Sequence, residues 1–155
     1  MNICYLKTPI GILEIHDNNK AITKIDLINH LSQSTGDISP LGAECSKQLM
    51  EYFNGKRTKF DLPLEFTGTE FQKKVWTELT KIPYGQTRSY KDIAIAVDSP
   101  KGFRAVGMAN HKNSILIVAA CHRVINADGS LGGFGCGIDI KKQLLELEAK
   151  NQKNI

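Results

Sequence analysis

The sequence predicts an α+β protein, with a small N-terminal β-sheet domain that carries one helix, followed by a mostly helical domain. Short apolar runs broken by turn residues dominate the start of the chain and are typical of strands. Apolar residues spaced three or four positions apart dominate after residue 69 and are typical of helices. The 155 residues suffice for one domain or two small ones, without a stabilising disulfide or metal.

The first 66 residues predict a hairpin, a helix and a short extended segment. Apolar runs at 12–15 and 22–28 flank the polar turn 17–20, as in a β-hairpin. Positions 41, 45, 49 and 53 are apolar and predict one helix, which Asn54-Gly55 ends. The segment 60–64 is expected to be extended and, because of Pro63, to lie at a sheet edge.

Four helices are predicted in the second half. Thr67 or Thr69 caps the first, which Pro83 terminates, and Ser89 caps a second that runs to residue 97. Residues 103–110 form a third helix. The second and third helices are a candidate helix-turn-helix, although an ordinary helical hairpin fits the same pattern. A buried strand at 115–120, a glycine-rich loop and a terminal helix from residue 138 complete the prediction.

Composition predicts a soluble cytoplasmic protein without a membrane partner. The chain is 41% hydrophobic and 23% charged, which is ordinary for a globular protein. Its start lacks the apolar core of a signal peptide, and its longest apolar run, 115–121, is too short to cross a bilayer. The four cysteines form no CxxC pair and no Cys/His ligand spacing, so we expect reduced thiols and no metal.

The net positive charge of the chain comes from its second half. Residues 1–68 carry 7 Lys and Arg against 8 Asp and Glu, whereas residues 69–155 carry 13 against 8. A solvated basic face would give this asymmetry, and so would a surface that binds a phosphate backbone.

The dipeptide Cys121-His122 is the candidate reactive centre. A thiol is a good nucleophile only as the thiolate, and His122 is placed to act as its base, directly or through a water. Glu148 is a candidate to orient His122, although a solvated Glu148 fits the sequence equally well. A buried, unreactive cysteine is the alternative that the dipeptide alone leaves open.

The segment Ala120-Cys121-His122-Arg123-Val124-Ile125 resembles the active-site box of the O6-alkylguanine-DNA alkyltransferases, also called methylated-DNA–protein-cysteine methyltransferases. The similarity covers nearly the whole chain, in the order that the family keeps. The other matching segments begin at Thr8-Pro9-Ile10-Gly11, Glu51-Tyr52-Phe53, Phe60-Asp61-Leu62, Gly68-Thr69-Glu70-Phe71, Ile82-Pro83-Tyr84-Gly85, Arg104-Ala105-Val106-Gly107, Gly132-Gly133-Phe134 and Leu144-Leu145-Glu146.

The resemblance implies a role for each of five residues in the chemistry. Cys121 would accept the alkyl group, His122 would be its base through a water, and Glu148 would orient His122. Asn113 would brace the turn before the active site. Tyr90 would contact the phosphate beside the lesion and help to pass a proton to the leaving guanine. Arg123 resembles a structural ion-pair residue and is not assigned to the chemistry.

The resemblance also implies a DNA-binding surface and a base pocket. Arg104 would fill the gap left by an extruded nucleotide, while Ala105, Gly107 and Ala109 would form a smooth helix side against the minor groove. The carbonyls of Cys121 and Val124 would read the guanine edges. The pocket-lining residues would be Val124, Gly135, Cys136, Lys141, Asn110 and Leu116.

By this resemblance the protein is expected to repair double-stranded DNA by direct reversal. It would take the alkyl group from O6-alkylguanine, with O4-alkylthymine a second candidate substrate, onto Cys121 once and irreversibly. Residues 1–66 would form a ribonuclease H-like domain and residues 67–155 the helix-turn-helix and alkyl-acceptor domain. The protein would be a monomer without a cofactor, because the zinc ligands of some relatives are not reproduced around Cys4, His16 and His30.

Two departures from the family pattern concern the surroundings of the thiol. Ala120 replaces the usual proline and is expected to loosen the chain before Cys121, and Cys136 replaces a loop glycine. Three other protein classes share part of these features: an alkyltransferase-like protein without an acceptor, a helix-turn-helix transcription factor with a core cysteine, and a turnover cysteine enzyme. The presence of Cys121 disfavours the first, and the Cys-His box together with the glycine loop is superfluous in the second.

Overall fold

Two units make up the computed structural model, which describes residues 1–29, 37–132 and 137–152. The first unit comprises Met1–Phe66 together with Ser114–Leu116, and the second comprises Thr67–Asn113 and Ile117–Ile155. The short segment Ser114–Leu116 thus belongs to the first unit, although the residues on both sides of it belong to the second. The sequence pattern did not indicate this.

The first unit is built on a three-stranded antiparallel sheet. Strands β1 (Asn2–Thr8), β2 (Gly11–Asp17) and β3 (Ile22–Ile28) follow one another in sheet order. The hairpin of β2 and β3 was predicted, and β1 pairs with the free edge of β2. Gly11, at a φ of 129°, makes the turn between β1 and β2, a conformation that favours glycine.

Helix α1 (Pro40–Phe53) contacts all three strands of this sheet. Ser39 caps it by accepting a hydrogen bond from the Gly42 N–H at 2.9 Å, and donates its own hydroxyl to the buried Asp17 carboxylate at 2.6 Å. The cap therefore fixes the start of α1 at the end of β2. Of the predicted apolar face, Cys45, Leu49 and Phe53 are buried and Leu41 is half-buried, and Gly55 follows the helix at a φ of 73°.

Two isolated parallel bridges extend the pairing of β3. Leu64 pairs with Ile22, as expected for an extended segment at a sheet edge, and Ile115 pairs with Ile25. The prediction of a strand over 115–120 is wrong beyond Ile115, because residues 116–118 form a turn. Ile117 has a φ of 71°, a left-handed conformation that no strand contains and that is costly for a β-branched side chain.

The described residues of the second unit form four α-helices, as predicted: α2 (Glu70–Leu79), α3 (Tyr90–Ala96), α4 (Phe103–His111) and α5 (Ile138–Gln152). Thr69 with Gln72, and Ser89 with Asp92, form reciprocal capping boxes that start α2 and α3. The helix-turn-helix pair is α3 and α4, which contact each other.

A pair of two-residue strands was not anticipated. Strand β4 (Arg88–Ser89) runs parallel to β5 (Val124–Ile125), with Arg88 opposite Val124. The pairing lays the chain that enters α3 beside the chain that leaves Cys121. It lies within the second unit and so helps to position Tyr90, the first residue of α3, near the candidate thiol.

Helix α4 does not have the smooth side that the sequence predicted. Ala105 and Arg104 are exposed and Gly107 is half-buried, but Ala109 is buried, and its carbonyl accepts a 2.8 Å hydrogen bond from the Trp76 indole. Residues two apart on a helix lie about 200° apart around its axis, so the three small residues cannot share one face. The large side chain of Met108, 65% exposed, projects from the solvent side instead.

Candidate active site in the second unit

The candidate thiol lies on a single 3₁₀ turn, Cys121–Arg123, between the turn at 116–118 and β5. Cys121 itself is 2% exposed. Asn113 holds the approach to this turn by donating its side-chain amide to the Ala119 carbonyl at 2.8 Å. The Cys121 N–H binds the same carbonyl at 2.8 Å, so that one oxygen anchors both the bracing side chain and the thiol's own backbone.

His122 is fully buried and contacts Glu148 on α5. Its Nε2 lies 2.6 Å from Glu148 Oε2, which must be the acceptor, since hydrogen bonds keep the carboxylate ionised. Nδ1 then carries the lone pair, and it has no hydrogen-bond partner among the residues that the structure describes. Burial lowers the pKa of His122 despite the opposing effect of Glu148, so the ring is neutral at pH 7 and can accept a proton.

Arg123 holds Glu148 in a two-pronged ion pair. Its Nε and one terminal nitrogen lie 2.8 and 2.9 Å from the two carboxylate oxygens, and the other terminal nitrogen donates to the Ile82 carbonyl at 2.7 Å. Burial alone would raise the pKa of Glu148, but the hydrogen bonds and charges of His122 and Arg123 lower it below its usual range. Arg123 thus has the structural ion-pair position that was expected of it.

The Gly85 N–H also donates to Glu148 Oε1, at 3.2 Å, and this contact was not predicted. Gly85 has a φ of 76°, and an added Cβ would meet the Gln152 side chain at 2.5 Å. The only signal for it in the sequence was the Tyr84-Gly85 turn, which indicated a reversal of the chain but not what its amide would bind.

Tyr90 is half-buried between two glycines. A Cβ on Gly107 of α4 would lie 3.9 Å from its ring, and one on Gly132 would lie 3.2 Å from its hydroxyl. Burial, and to a smaller extent the charge of a Cys121 thiolate, raise the pKa of Tyr90. The hydroxyl therefore keeps its proton at neutral pH and is available as a donor.

Lys141 on α5 is fully buried beside Tyr90. Its Nζ donates to the Val124 carbonyl at 2.5 Å and lies 5.9 Å from the centre of the Tyr90 ring. Burial lowers the pKa of Lys141 to about 8, while a Cys121 thiolate would favour its charged form. A buried amine of this kind can exchange its proton near neutral pH.

The remaining predicted site residues are distributed as follows. Asn110, buried on α4, donates its side-chain amide to the Cys121 carbonyl at 3.3 Å. Leu116 belongs to the first unit, where its N–H binds the Ile25 carbonyl, so its predicted place in the pocket stays a prediction. Gly135 and Cys136 lie outside the described residues.

The described residues contain neither a metal-binding cluster nor a helix that could span a membrane. Over 1–29, 37–132 and 137–152, His, Cys, Asp and Glu form no group of three that would hold a metal ion. Within the same ranges, no helix combines the length and apolar character needed to span a bilayer.

Comparison with known proteins identifies the family. The profile of the "6-O-methylguanine DNA methyltransferase, DNA binding domain" matches residues 70–150, and that of the "6-O-methylguanine DNA methyltransferase, ribonuclease-like domain" matches residues 2–66. A methylated-DNA--protein-cysteine methyltransferase of Methanosarcina barkeri is 42% identical over 94% of this chain and 96% of its own. The constitutive enzyme of that name from Bacillus subtilis is 43% identical over 95% and 94%.

A solved structure agrees with these relatives. The crystal structure of Mycobacterium tuberculosis OGT in complex with DNA matches with a TM-score of 0.86 and 42% identity, covering 95% of this chain and 93% of that one. Family profiles, relatives and structure agree over nearly the full sequence. This chain belongs to the 6-O-methylguanine DNA methyltransferase family.

Proposed function

We propose that this protein repairs DNA by moving the alkyl group of O6-alkylguanine onto Cys121, once per protein molecule. The observation that carries the proposal is the buried chain of Cys121, His122 and Glu148, in which Glu148 binds one ring nitrogen of His122 at 2.6 Å. The other ring nitrogen remains for a water that also reaches the neighbouring thiol. A buried thiol beside a neutral, oriented imidazole is suited to nucleophilic attack.

The reaction is a substitution at the alkyl carbon. The thiol passes its proton through water to His122, and the sulfur forms a bond to carbon as the bond from that carbon to O6 breaks. The electron pair of the broken bond goes to the guanine, which takes up a proton that Tyr90 delivers. The product is a thioether, a poor leaving group, so the reaction ends after one transfer. Asn113 positions the turn that carries Cys121, through the 2.8 Å bond to Ala119.

Double-stranded DNA is the proposed partner, bound chiefly through its minor groove. The base must leave the stack for its O6 to reach a buried thiol, at a cost of a few kcal/mol. Arg104 is exposed on α4 and is proposed to fill the gap that the nucleotide leaves. The net positive charge of residues 69–155 supports contacts to the phosphates. Ala105 and Gly107 remain proposed DNA contacts, but the buried Ala109 does not.

The base is proposed to bind beside the carbonyls of Cys121 and Val124, with Lys141 and Asn110 at the pocket wall. The ribonuclease-like portion would end near residue 66, and the portion from residue 67 would bind DNA and accept the alkyl group. We further propose that the protein acts as a monomer in the cytoplasm.

The proposal is tested by mass spectrometry after incubation with a duplex that contains O6-methylguanine. We expect the intact protein to gain the mass of one methyl group, saturating at one per protein, and the modified peptide to contain Cys121. A Cys121→Ala variant is the matched control and should bind the duplex without gaining mass. Methyl groups released in excess of the protein, or found on another cysteine, would contradict the proposal.

A further inference from the structure

The most exposed large apolar side chain of α4 lies one helical turn from the arginine that is proposed to fill the gap in the DNA. Met108 is 65% exposed and follows Arg104 by four positions. Residues four apart on a helix lie on one face, so the two side chains point the same way. The buried residues of α4, Val106, Ala109 and Asn110, centre on the opposite side of the helix. Arg104 and Met108 therefore share the face of α4 that is turned away from the core of the second unit.

Their spacing places both side chains on neighbouring parts of one duplex. The Cβ atoms of residues four apart on a helix are about 5–6 Å apart, and helical side chains lean toward the N-terminus, which here brings Met108 toward Arg104. Successive base pairs are about 3.4 Å apart along the duplex axis. If Arg104 enters the gap left by the lesion, Met108 meets the DNA within about two base-pair steps of that gap.

A methionine at this place does not suit an undisturbed minor groove. The groove is about 6 Å wide, whereas a helix with its side chains is about 10–12 Å across. Glycine and alanine ease a close approach, but Met108 is bulky and carries no charge for a phosphate. Proteins that bind the minor groove commonly insert such apolar side chains, methionine among them, between two base pairs. Insertion opens the groove and also removes the exposed apolar surface from water.

We infer that Met108 is an apolar wedge that inserts between stacked base pairs beside the lesion and so helps Arg104 to keep the damaged guanine outside the duplex. The inference rests on the proposed function, which supplies the DNA and the extruded base. Arg104 fills the vacancy, and Met108 separates the step next to it. An unbranched, polarisable side chain adapts to steps of different sequence, as repair of a guanine in any sequence context requires.

The test compares a lesion that must be extruded with one that is already unstacked. O6-methylguanine is placed in a fully paired duplex, or in the same duplex with the lesion and its neighbours unpaired, and second-order rate constants for methylation of Cys121 are measured. We expect Met108→Ala to slow the reaction with the paired duplex about tenfold, because one buried apolar contact is lost. The unpaired lesion should react with Met108→Ala at nearly the wild-type rate.

Matched variants separate insertion from general effects of the substitution. Met108→Leu keeps the apolar bulk and should retain the wild-type rates, whereas Met108→Gln keeps the length without the apolar end and should behave as Met108→Ala. Ile95→Ala removes a side chain of α3 that is 53% exposed, and should leave both rates unchanged. Circular dichroism confirms that each variant is folded, and Met108→Gln takes the place of Met108→Ala if the latter is not.

A fluorescent base gives a readout that a packing defect would not move. 2-Aminopurine brightens when its stacking is lost, and it is placed on the 5′ or the 3′ side of the lesion in separate duplexes. In a Cys121→Ala background, saturating protein should brighten at least one of the two probes, and adding Met108→Ala should remove most of that increase.

The outcomes distinguish this inference from the proposed function. Equal slowing of the paired and unpaired lesions by Met108→Ala, an unchanged rate with the paired duplex, or an unchanged 2-aminopurine signal on both sides would overturn the wedge and leave the proposed function intact. A wild-type protein that accepts methyl from neither substrate would overturn both.

Discussion

At the scale of single residues, Glu148 is the side chain on which the candidate site most depends. It binds His122, Arg123 and the Gly85 N–H from a position that is 1% exposed. A buried carboxylate is tolerable only when its charge is matched and its oxygens are bonded, and these three partners meet both requirements. The same contacts that orient His122 therefore also balance the charge of Arg123.

Replacing Glu148 with Gln is expected to damage both activity and stability. The variant leaves Arg123 buried without a countercharge, so we expect a loss of about 3 kcal/mol in the free energy of unfolding. It also weakens the bond that sets the His122 tautomer, so methyl transfer should slow by at least about tenfold. Urea unfolding and single-turnover rates measure the two effects. Glu146→Gln, on an exposed position of α5, is the control and should change neither.

A stabilising substitution is expected at Ala120, since the family usually has proline there. Its φ of −81° is close to the value that proline imposes, and its N–H makes only a long bond of 3.4 Å to the Leu79 carbonyl. We therefore expect Ala120→Pro to raise the free energy of unfolding by up to about 1 kcal/mol, chiefly by restricting the unfolded chain. A measured loss of more than that amount would show that the site before Cys121 cannot accept the ring.

At the scale of elements, the helices were predictable and the turn before Cys121 was not. Thr69 and Ser89 predicted the starts of α2 and α3, because helix capping depends only on residues close together in the sequence. The apolar run from residue 115 looks like a strand, yet Ile117 adopts a left-handed conformation that only contacts distant in sequence can impose. The burial of Ala109 likewise depends on Trp76, 33 positions earlier, which no local pattern of α4 reveals.

The candidate site was predictable for a different reason. Cys121, His122 and Glu148 were predicted from the chemistry of the residues and from the resemblance to the family, but their distances required the fold, because 26 positions separate His122 from its carboxylate. The bond of Asn110 to the Cys121 carbonyl had no signal in the sequence. Asparagine on a helix face gives no indication of which backbone oxygen it will meet.

A glycine inside α4 and a glycine just before α2 should respond in opposite directions to replacement by alanine. Gly107 lies within α4, and a Cβ there would meet nothing closer than the Tyr90 ring at 3.9 Å. Gly107→Ala should thus raise the free energy of unfolding by about 0.5–1 kcal/mol. At Gly68 a Cβ would lie 2.6 Å from Gln72 and 2.8 Å from the Trp76 ring, so Gly68→Ala should lower it. Thermal unfolding of both variants checks the contrast, and equal shifts would contradict it.

At the scale of the whole molecule, each unit contains a buried group that makes folding sensitive to acid. In the second unit His122 is neutral when folded, because burial lowers its pKa from 6.5. In the first unit burial would raise the pKa of Asp17, but hydrogen bonds from Ser39 and Asn2 lower it from 3.8. In both cases the unfolded chain binds protons that the folded chain does not.

Stability is therefore expected to fall as the pH is lowered, in two ranges. Below about pH 6.5 the unfolded His122 takes up a proton, at a cost of at most about 1.4 kcal/mol per pH unit. Below about pH 4.5 the carboxylates of Glu148 and then Asp17 add to the loss, since their contributions are present only above that range. Urea unfolding between pH 8 and 3 measures this. Asp17→Asn should flatten only the lower range, and a stability that is constant from pH 7 to 5 would contradict the upper one.

The fluorescence of the Trp76 indole can be used to follow urea unfolding of the second unit. Trp76 is the only tryptophan in the chain and belongs to the second unit, where it is 2% exposed and bonded to α4. Its fluorescence follows the loss of that environment, whereas far-ultraviolet circular dichroism follows the sheet of the first unit as well. Coincident transitions by the two signals would mean that the units melt as one cooperative system, and separate transitions would assign a stability to each.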